Sequence, residues 1–127
     1  MTRTAVDLAD TRARDDFLNE ALSGATKALV LTEGLSMYLQ DRDIAALSES
    51  FTRPEVAWWM LDFAFPGLRD MVNKQKADLL KNAPFKFAPD NGLAFFEDLG
   101  WRVVEAESQF VAANRFRRLP LFLRPLA

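Results

Sequence analysis

Three carboxylates in this chain close apolar runs. Asp7 follows Ala5 and Val6, Glu33 follows the stretch 28–32 (ALVLT), and Asp62 lies near the end of the stretch 55–63 (EVAWWMLDF). At such positions a carboxylate can accept hydrogen bonds from a ligand. Histidine and cysteine are absent, which excludes disulfides, a thiol nucleophile, a Ser-His-Asp triad and the usual zinc sites. A carboxylate-only magnesium or calcium site would need ligands spaced as in a metal-binding loop, and no acidic cluster has that spacing. Tyr38, the only tyrosine, completes the polar set. On the residues alone each has a plainer reading: Asp7 starts a turn or joins Asp10 in capping a helix, and Glu33-Gly34 is a strand exit. Tyr38 is then a half-buried core residue, and Asp62 makes a turn-side hydrogen bond.

The elements that would position these residues alternate. Residues 1–8 read as the end of a strand. Asp10 or Thr11 can cap a helix with Ala13, Phe17, Leu18, Ala21 and Leu22 on one face and Gly24 as its stop. Residues 27–33 suit a strand buried on both faces of a parallel sheet. Asp41 can cap a second helix, on which Ile44, Leu47 and Phe51 repeat at three and four residues. Residues 55–63 are aromatic and β-branched enough for a further buried strand, with Trp58 and Trp59 in the core, one per sheet face. Pro66 and Gly67 then break the chain. Leu68, Met71, Val72, Leu79 and Leu80 mark a longer amphipathic helix, and the proline-bracketed segment 84–89 favours an extended loop. Asp90 caps a short helix bearing Leu93, Phe95 and Phe96, stopped by Gly100. Residues 101–108 (WRVVEAES) read as the last strand, with Trp101 as packing. Strands alternating with helices imply an α/β sheet with helices on its faces, whose ligands bind beyond the carboxyl ends of the strands.

At 127 residues the chain is long enough for one domain with a core, and 50% hydrophobic with 27% charged residues is ordinary globular composition. No apolar run is long enough to span a bilayer, and the first residues hold no signal core, so a cytoplasmic protein is expected. The net charge of -2 conceals a basic, proline-containing tail at 112–127, with Arg115, Arg117, Arg118 and Arg124 and no acid. Four arginines among prolines and leucines make neither a groove-reading motif nor an amphipathic membrane helix. Nucleic acid and membrane partners are therefore not expected.

Taken in order, V-D-L-A-D and A-L-V-L-T-E-G-L-S-M-Y-L resemble the adenine-binding strand end and the E-G-L-x-x-Y-L signature of a known family. The family is the leucine carboxyl methyltransferase-like group of class I S-adenosylmethionine-dependent methyltransferases. The stretches VAWWMLDFAFP, NAPFKFAP and FFEDLGWRVVEAES are similar to its later strand, its substrate-side loop and its closing G-W strand, so that the resemblance covers residues 5–118. It implies that Asp7 accepts a hydrogen bond from the adenine amino group. Leu8 would offer its backbone N–H to a ring nitrogen and its side chain to the ring face. Glu33 would bond the amino group of the cofactor's methionine end, and Tyr38 would lie near the substrate pocket. Apolar walls and a lid around residues 71–87 would complete the site. No residue is assigned as a catalytic nucleophile, acid or base, or as a metal ligand. S-adenosyl-L-methionine is the implied cofactor, and the methyl acceptor would be a carboxylate or hydroxyl on a small molecule or peptide.

The chain departs from the family at the cofactor loop. Its glycines are Gly24, Gly34, Gly67, Gly92 and Gly100, no two of them spaced as G-x-G. The family's first two strands, with their glycine-rich turn and ribose-binding carboxylate, have no counterpart here. The expected fold is thus a partial Rossmann-like sheet of mostly parallel strands with helices on both faces, lacking the N-terminal glycine-loop strands. The expected function is that of a methyltransferase half-domain requiring a separately encoded N-terminal half; the alternative is a non-catalytic interaction or dimerisation module derived from a methyltransferase. The edge of the strand ending at Glu33 would lie bare, which favours self-association into a homo-oligomer across that edge or a rearrangement that covers it.

Overall fold

The computed structural model describes residues 2–78, 80–118 and 120. Among them are five α-helices and a two-stranded parallel sheet, a mixed α/β arrangement. The chain divides into two units, residues 1–95 and 96–127.

In the first unit, α1 spans Thr11–Ala21. Asp10 caps it by accepting the Ala13 N–H at 3.1 Å, satisfying one of the donors a helix start leaves open. Gly24, at φ +76°, turns the chain away beyond its end. The buried face differs from the apolar stripe expected: Leu18 is buried together with Arg14, and Ala21 is exposed. The chain before α1 forms no strand between residues 2 and 7. A strand exists only where its N–H and C=O groups meet a partner, and among the described residues no strand pairs with this segment.

Strand β1 (Ala28–Thr32) pairs in parallel with β2 (Val56–Leu61). Helix α2 (Asp41–Phe51) lies between them in sequence. It starts one residue earlier than expected: the Gln40 N–H donates to Asp43 Oδ2 at 2.9 Å, and Asp41 is already helical. Both acids then favour the positive end of the helix dipole. Ile44, Leu47 and Phe51 are buried as their spacing predicts. Phe51 meets Trp59 edge to face at 5.1 Å, and the Trp59 Nε1–H donates to Thr32 Oγ1 at 3.0 Å. On this face of the sheet Thr32 is buried and Val30, Trp59 and Leu61 are half-buried, with Phe51 of α2 against Trp59.

The other face is open. Leu29 pairs in register with Trp58, and Leu31 with Met60; these four side chains are 54%, 53%, 57% and 56% exposed, respectively. The expectation of strands buried on both faces, with Trp58 in the core, is corrected here. Residues alternate between faces along a strand, and only the face carrying Trp59 has a helix to bury it.

Helix α3 (Pro66–Gln75) begins with Pro66 at its first position, where the missing N–H costs nothing. Pro66 thus starts a helix rather than merely breaking the chain. The longer helix expected through Leu80 stops at Gln75. Gln75 and Lys76, three and four residues after Val72, are polar and exposed, so they add no apolar face to hold a further turn. Leu79 lies outside the described residues. Residues 84–89 form a loop with no regular element, and Phe87, Ala88 and Pro89 are buried. Phe87 packs against Phe63 at 6.2 Å and Phe95 at 5.1 Å between ring centroids.

The boundary between the units falls within α4 (Ala94–Asp98). Asp90 does not cap this helix, because residues 90–93 form turns and the helix begins at Ala94. Gly100 does stop it, at φ +92°, donating to Glu97 O at 2.9 Å while the Trp101 N–H reaches Phe96 O at 3.1 Å. In the second unit, residues 101–108 join no sheet, contrary to their strand-like composition. Helix α5 (Gln109–Arg115) follows, with Ser108 as its cap. Its end is a Schellman turn: Arg118 N–H bonds Ala113 O at 2.8 Å and Arg117 N–H bonds Asn114 O at 2.9 Å. Arg117 holds the left-handed position at φ +56°. The expected tail at 112–127 thus begins inside a helix, while Arg124 and Pro125 lie outside the described residues. No helix among the described residues is long and apolar enough to cross a membrane.

Candidate functional site

Asp7 and Leu8 lie in the tight bend that feeds α1. Asp7 Oδ1 accepts the Ala9 N–H at 2.9 Å and the Asp7 carbonyl accepts from Asp10 N at 3.2 Å, so the carboxylate helps build its own turn. This is the turn-starting role open to it on residue grounds. Its second oxygen makes no bond among the described residues, and Asp7 is exposed. Leu8 is fixed by its carbonyl, which accepts from Arg14 Nη1 at 2.9 Å. Its N–H finds no acceptor among the described residues.

Arg14 ties this bend to the body. It is buried, at 4% exposure, and its Nε donates to Ser50 Oγ at 2.9 Å, with a longer 3.4 Å bond from Nη2 to Ala46 O. No carboxylate pairs with it among the described residues. Its counter-charge is the negative end of α2, whose last turn holds Ser50. Spacing gave no sign of this residue beyond its place four residues before Leu18. Leu8 and Ala9 also line a cavity of about 50 Å³ with Leu39, Asp43 and Leu47. That cavity brings the Asp7-Leu8 bend next to the end of the E-G-L-S-M-Y-L stretch.

The second group sits at the carboxyl ends of both strands. Glu33 directly follows β1, is exposed, and makes no hydrogen bond or ion pair among the described residues. Gly34, at φ +63°, takes a conformation that favours glycine. Its N–H donates to Asp62 Oδ1 at 2.9 Å. The buried hydroxyl of Ser36 donates to the Asp62 carbonyl. Asp62 thus binds the exit of β1 to the exit of β2 with both its side chain and its backbone, which is the turn-side role weighed for it above.

Tyr38 ends the short 3₁₀ turn Ser36–Tyr38. Its ring meets Phe85 edge to face at 5.4 Å. The 84–89 segment is anchored beside it, since the N–H groups of Lys86 and Phe87 both bond Met37 O, at 2.7 and 3.3 Å. Asn73 of α3 completes the brace: its amide donates to Phe85 O at 2.8 Å and accepts from Phe85 N at 2.9 Å. The two ends of the 71–87 segment, expected to form a lid, are thereby clasped together.

The structure thus forms two polar groups, Asp7 with Leu8 and Glu33 with Asp62, and a separate aromatic one around Tyr38. No hydrogen bond or ion pair joins Asp7, Glu33 and Tyr38 to one another. Among the described residues no group of acidic side chains could hold a metal ion. A larger cleft, of about 330 Å³, lies elsewhere, lined by Thr11, Arg14, Asp15, Glu49, Ser50, Thr52 and Arg53. Its cations are already engaged, Arg14 as above and Arg53 with Asp15, Asn19 and the Ser50 carbonyl. Comparison of the chain with protein families, curated proteins and solved structures found no match.

Proposed function

We propose that this chain is half of an S-adenosylmethionine-dependent methyltransferase, methylating a carboxylate or hydroxyl oxygen when a complementary half supplies the glycine-rich turn. One observation carries the reading: Leu8 N–H and Asp7 Oδ2 are unengaged in one bend, while Glu33 stands exposed at the carboxyl end of a parallel strand pair. A donor and an acceptor side by side suit the edge of an adenine. An exposed carboxylate suits an ammonium group. On this reading these residues take the two ends of the cofactor and leave its middle to the other half.

When bound, S-adenosylmethionine supplies an activated methyl on a sulfonium, so the chemistry is a single in-line displacement. A carboxylate acceptor would take the methyl with its own lone pair as the C–S electron pair stays on sulfur, whereas a hydroxyl acceptor would also have to give up its proton to solvent. The protein has only to align acceptor and methyl and to exclude water. No nucleophilic side chain is required, and the absence of histidine and cysteine is no obstacle. Leu8 and Asp7 would orient the adenine, Glu33 the amino group, and the Tyr38–Phe85 pair would wall the acceptor. Calorimetry with S-adenosylhomocysteine, on the chain alone and combined with a half bearing the glycine turn, tests this. Binding weakened by Glu33→Ala supports it; no binding in either setting refutes it.

A second reading, a non-catalytic interaction module forming a homo-oligomer, is favoured by a different observation. Leu29, Leu31, Trp58 and Met60 form an apolar sheet face open to solvent, whereas parallel sheets are ordinarily covered on both sides. The face, rather than the strand edge alone, is then the surface to be covered, either by the complementary half or by a second copy. Val30 points to the α2 side, so substitutions at Leu31 or Trp58 probe this surface better.

A further inference from the structure

The family resemblance assigns no role to Asp62, yet two ties converge on it. Its Oδ1 accepts the Gly34 N–H at 2.9 Å, and its carbonyl accepts the Ser36 hydroxyl. The first bond fixes the peptide plane between Glu33 and Gly34, and with it the direction in which Glu33 leaves β1. The second pins the far side of the same turn through a side chain that is almost wholly buried. Glu33 itself has no contact that would orient it. Gly34 sits at φ +63° with open space where a side chain would stand, so no side-chain packing at Gly34 itself holds the turn. Asp62 is the polar clamp that does.

We infer that Asp62 is a positioning residue: by clamping the Glu33–Ser36 turn to the end of β2 it aims the Glu33 carboxylate at a ligand's ammonium group. This rests on the methyltransferase reading of the site. It makes a specific demand, because Asp62 acts only on the turn that would meet the methionine end. The Asp7-Leu8 bend is held separately, by Arg14.

Three proteins separate the outcomes: the wild-type chain, Asp62→Ala and Asp62→Asn. Asparagine keeps an acceptor for the Gly34 N–H, and alanine does not. Asp62→Ala should weaken S-adenosylhomocysteine binding about tenfold, the equivalent of one good hydrogen bond. It should leave adenosine binding unchanged, because adenosine lacks the amino-acid end. Asp62→Asn should stay within about twofold of wild type for both ligands. In the free protein, amide exchange at Gly34 should quicken in Asp62→Ala and not in Asp62→Asn. Equal losses for both ligands in Asp62→Ala, or no loss for either, would overturn the positioning role. Gly34 exchange that is unmoved by Asp62→Ala would overturn the clamp itself. A wild-type chain with a protected Gly34 that binds neither ligand at millimolar concentration, alone or combined with a half bearing the glycine turn, would instead overturn the functional reading, and the role of Asp62 toward a ligand with it.

Discussion

Replacing Arg14 by alanine removes the link between the Asp7-Leu8 bend, α1 and α2. Two of its bonds are short, 2.9 Å each to Ser50 Oγ and Leu8 O, and the third, to Ala46 O, is 3.4 Å. Bonds from a charged donor contribute about 1.5–3 kcal/mol each when buried, and the longer one adds little. Against this stands the cost of burying a guanidinium without a carboxylate, offset in part by the end of the α2 dipole. Once the cation is gone that burial cost is relieved, so the net loss should be about 3 kcal/mol rather than the full sum of the bonds. That is a large share of the roughly 5–15 kcal/mol available to a small domain. Arg14→Lys should recover only part of it, since one ammonium cannot reach along the three directions of the guanidinium fork. Urea unfolding followed by circular dichroism measures the effect as a drop in midpoint at unchanged slope. If Arg14→Ala unfolds within about 0.5 kcal/mol of wild type, the claim that this buried arginine anchors the bend is wrong.

Other consequences are open to test. Trp58→Lys or Leu31→Lys places a charge on the open sheet face and should abolish any concentration-dependent association seen by light scattering; oligomers that persist unchanged would show that the face is not the contact. Arg117→Gly should strengthen the end of α5 by about 1 kcal/mol, because glycine meets no penalty at a left-handed position. Slower amide exchange at Arg118, whose N–H closes the Schellman turn, reports it, and faster exchange would contradict it.

How much of this was legible in the sequence depends on whether a feature is local. The Asp10 cap, the strand over residues 28–32 and the buried triplet Ile44, Leu47 and Phe51 follow from capping chemistry and periodicity. So do the glycine stops at Gly24 and Gly100. What could not be read depends on partners. Trp58 and Trp59 are neighbours with the same composition, and only the side on which α2 lies buries one and exposes the other. Residues 101–108 have strand-forming composition and no strand to pair with. Arg14 gave no signal, because no neighbour in sequence announces that its fork will meet Ser50 and Ala46 of α2. The candidate site divides the same way. Asp7, Leu8 and Glu33 were picked out by family resemblance and strand-end position. The supports of Leu8 and the Glu33 turn, Arg14, Asp62 and Ser36, come from distant segments and emerge only in three dimensions. Asn73, which braces Phe85 beside Tyr38, was hidden for the same reason.

The central claim is that the Asp7-Leu8 bend and Glu33 form the two ends of one cofactor half-site. Titrating the isotopically labelled chain with S-adenosylhomocysteine, and following backbone amides by NMR, tests it even if binding is weak. Saturable shifts are expected at Leu8, whose unengaged N–H would gain an acceptor, and at Glu33 and Gly34, with Asp7→Ala suppressing the first and Glu33→Ala the second. An absence of shifts at millimolar ligand, both for the chain alone and for the chain combined with a half bearing the glycine turn, or shifts confined to the cleft around Asp15 and Arg53, would contradict it.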